Sequence, residues 1–70
     1  MDKLIELVDQ AMVKYRKARR IAVSNFSSGY SSMSYECRAN LQMDTRLYSW
    51  KAPTVNAIKW VIGQREKLGI

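Results

Sequence analysis

Met33-Ser-Tyr-Glu-Cys-Arg-Ala-Asn-Leu-Gln-Met-Asp44 alternates without a break, apolar at every odd position and polar at every even one. A period of two is the mark of a strand with one buried face. Coiled into a helix, the same residues would put Tyr35, Ala39 and Met43 on one side and Met33, Cys37 and Leu41 on the other, leaving no single face to bury. Composition argues the opposite way, because Glu, Arg, Ala, Leu, Gln and Met dominate and no β-branched residue occurs between the two ends.

The residues that follow weigh toward the strand. With Asp44-Thr45 at the tip of a two-residue hairpin, Met43 pairs with Arg46, Leu41 with Tyr48 and Ala39 with Trp50. Tyr48 and Trp50 then join the apolar face, and the polar positions of both runs turn to solvent. Tyr35, Tyr48, Trp50 and Cys37 are expected to be core rather than a base-stacking platform or a reactive thiol.

Two amphipathic segments flank this stretch. Leu4, Leu7, Val8, Ala11, Tyr15, Ala18 and Ala22 recur at helical spacing, which predicts one helix from Asp2 to Ala22. At the other end, Pro53 suits a first helical position and Gly69 suits a helix end, which predicts a helix from Pro53 to Leu68. Its buried face is read as Val55, Ile58, Val61, Ile62 and Leu68, with Asn56, Trp60, Gly63, Gln64 and Lys67 outside. Between the first helix and the hairpin, the serine-rich run from Ser24 to Ser34 reads as a loop, with a short strand over Ile21 to Phe26 as the other reading.

The expected architecture is therefore a single α+β domain over residues 1–70, with two helices packed on a small antiparallel sheet in the order α-β-β-β-α or α-β-β-α. A three-helix bundle is the alternative. The order and length resemble those of a double-stranded-RNA-binding domain in topology only. Lys51-Ala52-Pro53-Thr54-Val55 stands where that family has a lysine-rich helix start, so no residue role is carried over.

Charge bounds the partner. The chain carries 12 basic and 6 acidic residues, a net charge of +6 and a sequence pI near 9.8. All of the excess lies in the flanks, since Glu36 and Asp44 balance Arg38 and Arg46 in the middle. A basic protein of this kind favours nucleic acid or an acidic protein surface. In the continuous first helix, Arg16, Lys17 and Arg20 fall opposite the apolar stripe while Lys14 and Arg19 flank it, a solvent-facing basic ridge. Such a ridge can track phosphates, and it also complements the helix macrodipole. A second candidate surface is Trp60 with Asn56 and Lys67, to which Lys59 is added, where an exposed tryptophan beside Gly63 would anchor a partner.

The chain holds no histidine and one cysteine, Cys37, so neither an internal disulfide nor the usual zinc ligands exist. No metal and no cofactor is expected. Scattered carboxylates and the lack of a glycine-rich phosphate loop point away from an enzyme. The first helix is a poor membrane binder, with acidic residues in its first half and neither Trp nor Phe on its apolar face. Reduced thiol chemistry and the absence of a signal or spanning segment lead to a cytoplasmic expectation.

The first functional expectation is a small non-enzymatic nucleic-acid-binding protein gripping phosphates through the basic helix face. The second is a small protein-binding regulator or inhibitor of the kind viruses and mobile elements encode, docking on an acidic surface of a host protein. Either is compatible with a homo-oligomer.

Overall fold

A computed structural model of the chain describes residues 2–30, 34 and 50–70. These residues form three helices, α1 (Asp2–Lys14), α2 (Arg20–Tyr30) and α3 (Ala52–Leu68), each packed against the other two. No strand occurs among them. The fold class is that of a three-helix bundle, and the α+β expectation is corrected. Apart from Ser34, which is exposed, the alternating stretch Met33 to Asp44 and its hairpin partner through Tyr48 lie outside the described residues.

The correction rests on the flanks. Both helices were expected to lay their apolar faces on a sheet, but those faces are spent on each other and on α2. Leu7, Val8 and Ala11 of α1, Val23 of α2, and Ala57, Ile58, Val61 and Ile62 of α3 form one buried cluster. Ala11 and Ala57 are fully buried, and their small side chains let the helix axes approach closely. Around this centre pack Leu4, Tyr15, Phe26 and Trp50. The Phe26 and Trp50 rings meet edge to face, 6.3 Å between centroids at 82°, a favoured aromatic geometry.

The first segment is not one helix. It stops at Lys14, and Tyr15 to Ala18 form a turn in which the Tyr15 N–H still donates to the Ala11 carbonyl at 2.7 Å and the Ala18 N–H donates to Tyr15 at 2.9 Å. Neither glycine nor proline marks the break. Charge crowding supplies a reason: in a continuous helix Arg16 would face Arg19 and Arg20, and Lys17 would face Arg20, like-charge pairs at i,i+3 and i,i+4 that disfavour the helix. The Arg19 N–H, which a continuous helix would direct at Tyr15, donates instead to Thr54 Oγ1 at 2.9 Å.

After the turn, the segment expected to be a strand or a serine-rich loop is helix α2. Serine lowers helix propensity by only about half a kcal/mol relative to alanine, and tertiary burial outweighs that. Val23 and Ser27, four residues apart, are both fully buried. Ser28 Oγ donates to the Ser24 carbonyl at 2.8 Å, one turn back, so that hydroxyl does not compete for a free amide.

Helix α3 begins after Lys51, which is extended at φ −62° and ψ 145°, and includes proline in its first turn. It ends at Gly69, whose φ of +70° is left-handed and whose N–H donates back to Arg65, as a glycine C-cap does.

Candidate nucleic-acid interface

The hydrogen bonds between helices fix the direction of each. Arg19, at the start of α2, is tied to Thr54 in the first turn of α3, while Arg65 near the end of α3 donates through Nη1 to the Ser27 carbonyl near the end of α2. Thus α2 and α3 start at one end of the bundle and run the same way. Because only the short turn joins α1 to α2, the C-terminus of α1 lies at that end too.

This common corner collects the cations. Lys14 closes α1, Arg16 and Lys17 occupy the turn, Arg19 precedes α2 and Lys51 precedes α3, and all five are exposed. Lys14, Arg16 and Lys17 line an open hollow of about 410 Å³ together with Tyr15, Ala52, Pro53 and Asn56. The Lys14 ammonium sits 6.0 Å from the centre of the Tyr15 ring, at the outer limit of a cation–π contact. A second open hollow of about 570 Å³ is lined by Arg19, Arg20, Ile21 and Ala22.

Two helix starts add to the field. Neither α2 nor α3 has an acidic residue in its first turn, and Lys51 provides no side-chain cap. The positive ends of both macrodipoles therefore point into the basic corner. Lys14, in the last turn of α1, opposes the negative end of that helix.

The carboxylates of the described residues are held away. Asp2, Glu6 and Asp9 belong to α1, and Glu66 lies near the far end of α3. The nearest of them to the corner, Asp9, is engaged by the Arg20 guanidinium in an ion pair whose side chains are each about half exposed. A pair so exposed contributes about 0.2–1 kcal/mol; its larger effect is to neutralise both groups. Arg20 is thereby withdrawn from the basic set. Among the described residues no carboxylate pairs with Lys14, Arg16, Lys17, Arg19 or Lys51.

The expected ridge on one long helix does not exist, yet folding the chain at Tyr15 to Ala18 gathers most of its members more tightly. Asn56 joins them on the rim of the first hollow. Lys59 and Lys67 are exposed on α3, but at 1.5 Å per residue Lys67 lies roughly 16 Å beyond Asn56 along the axis, toward the opposite end. Trp60, expected on the outer stripe, is half-buried and packs against the core cluster, so part of its ring is already engaged within the bundle. Leu68, expected to be buried, is 60% exposed.

Two features were missed in the sequence. Lys51 is a corner residue because Pro53 sets where α3 begins, a signal present in the chain. Arg65 is 5% exposed; it follows Ile58, Val61 and Ile62 at helical spacing, so periodicity alone placed it on the inner face.

No group of three or more potential metal ligands occurs among the described residues, and no helix among them is long and apolar enough to cross a membrane. Comparison with protein-family models, with curated proteins and with solved structures found no match to this chain.

Proposed function

We propose that the protein is a small non-enzymatic nucleic-acid-binding domain that grips the phosphate backbone at its basic corner. The observation that carries the reading is the meeting of Lys14, Arg16, Lys17, Arg19 and Lys51 at one end of the bundle, where the nearest carboxylate among the described residues is already paired. Cations without local counter-charges exchange bound anions for phosphates, and guanidinium groups add bidentate contacts. Two helix starts without an acidic residue in the first turn reinforce the attraction.

The protein-docking alternative is less favoured, since Trp60 is partly engaged by the core. An acidic host surface would still meet the same cations, so the experiment must separate the two. Fluorescence titration of labelled DNA and RNA with the parent and with the Lys14→Glu/Arg16→Glu/Lys17→Glu variant does so. Binding by the parent and its loss in the variant are expected. Equal affinity of the two overturns the proposal, as does a cell-lysate partner that survives nuclease treatment when no nucleic acid binds the purified protein.

A further inference from the structure

Resting on the reading above, we infer that the outward face of α2, formed by Ile21, Ser24, Asn25 and Ser28, enters the major groove of duplex DNA and reads base edges while the corner cations hold the flanking phosphates.

At 100° per residue these four side chains fall within one arc of about 100°, across the helix from the buried Val23 and Ser27. Asn25 and Ser28 are exposed, Ser24 is half-buried, and Ile21 is 76% exposed. An α-helix of 10–12 Å diameter matches a B-DNA major groove about 12 Å wide. The 11 residues of α2 extend roughly 16 Å, enough to cross that groove.

Charge selects α2 over its neighbours. It is the one described helix without a carboxylate, whereas α1 carries Glu6 and Asp9 outward and α3 carries Glu66. Its start adjoins the corner, where Arg20, its first residue, is already paired with Asp9 of α1 and Arg19 just before it is exposed. A helix so arranged presents its N-terminal part to the bases with phosphate contacts beside it, the usual docking of a recognition helix. Short side chains on the outer arc let the helix sit deep.

The chemistry of the arc suits base edges. Asparagine pairs bidentately with adenine N6 and N7, and an aliphatic side chain covers the thymine methyl. Ser28 is further specified: its one hydroxyl proton goes to the Ser24 carbonyl at 2.8 Å, so outward it only accepts, matching the amino group of adenine or cytosine. An exposed isoleucine among cations gains a covered position in such a groove. Double-stranded RNA offers none, because its major groove is too narrow for a helix.

The test is selection of preferred sites from a random duplex DNA library by the full chain, followed by titration of the enriched and a scrambled duplex with Ile21→Ala and Asn25→Ala. A motif should emerge, and each variant should lose about 5- to 150-fold in preference for it, while affinity for the scrambled duplex stays within about two-fold because phosphate contacts are untouched. Asn25→Gln, which keeps the amide on a longer stem, should alter the preferred base at one position; this holds the inference testable should Asn25→Ala lose helix by circular dichroism. Salt-sensitive binding with no motif, a motif unmoved by all three variants, or equal binding of double-stranded RNA overturns the groove reading and leaves the phosphate reading standing. Absence of any nucleic-acid binding overturns both.

Discussion

Replacing Lys14, Arg16 and Lys17 together by alanine should flatten the salt dependence of DNA binding more than it changes the fold. These residues are exposed, end α1 or lie in the turn after it, and leave the Arg19–Thr54 hydrogen bond in place. If all five corner cations meet phosphates, the slope of log K against log salt approaches about −4.5, and affinity falls by roughly 500-fold between about 50 and 200 mM salt. With two cations left the slope approaches about −1.8, and the same change of salt costs roughly 12-fold. Fluorescence anisotropy with a labelled duplex across that range measures both slopes directly. Parent and variant slopes that agree would show that these side chains do not displace counterions from DNA, whatever the change in affinity. A thermal melt of the variant close to the parent's is the accompanying expectation.

Three further outcomes follow from the packing. Thr54→Val removes the acceptor of the Arg19 N–H at a fully buried position; it should cost about 1–3 kcal/mol, read as a lowered midpoint in thermal denaturation, with Thr54→Ser, which keeps the hydroxyl acceptor, avoiding most of the loss. Gly63 lies inside α3 and a Cβ added there meets nothing within 4 Å, so Gly63→Ala should stabilise by about 0.8–1 kcal/mol, whereas Gly69→Ala, at a φ of +70°, should destabilise. Ser27→Ala removes a buried hydroxyl that has no partner among the described residues and improves helix propensity, and should raise stability by up to about 1 kcal/mol.

The two outer helices were legible because each carries a stripe wide enough to name its own face, and the ends of α3 were marked by Pro53 and Gly69. The boundary at Lys14 was not. The apolar residues Tyr15, Ala18 and Ala22 keep helical register straight through the turn, so periodicity ran on where like charges and a distant acceptor, Thr54, divert the backbone. Helix α2 was illegible for a related reason: serine, asparagine and glycine read as turn chemistry, and only Val23, Phe26 and Ser27 taken together show a helical inner face. With α2 unseen, the apolar sides of α1 and α3 were assigned to a sheet. The basic residues themselves were easier to read than the fold that presents them. Five clustered cations are visible in any reading of residues 14–20, but that Arg20 is neutralised by Asp9, and that Lys51 joins the others, depends on the third dimension.

Helix α2, the element least marked in the sequence, is held at both ends by polar side chains of α3. At its start Thr54 accepts the Arg19 N–H; near its end Arg65 donates to the Ser27 carbonyl. The second contact puts a guanidinium against the negative end of a helix macrodipole, which favours the cation. It is nonetheless costly, because Arg65 is buried with Nε unpartnered and no carboxylate paired to it among the described residues, and a buried cation is stabilised only in part by one carbonyl. A methionine of similar volume would pack better and bond to nothing. What arginine adds is direction: it fixes which end of α2 meets which part of α3. That orientation is the one that brings two helix starts and five exposed cations to a single corner. In this chain a stability cost in the core and the charge concentration at the surface are two consequences of the same parallel pairing of α2 with α3.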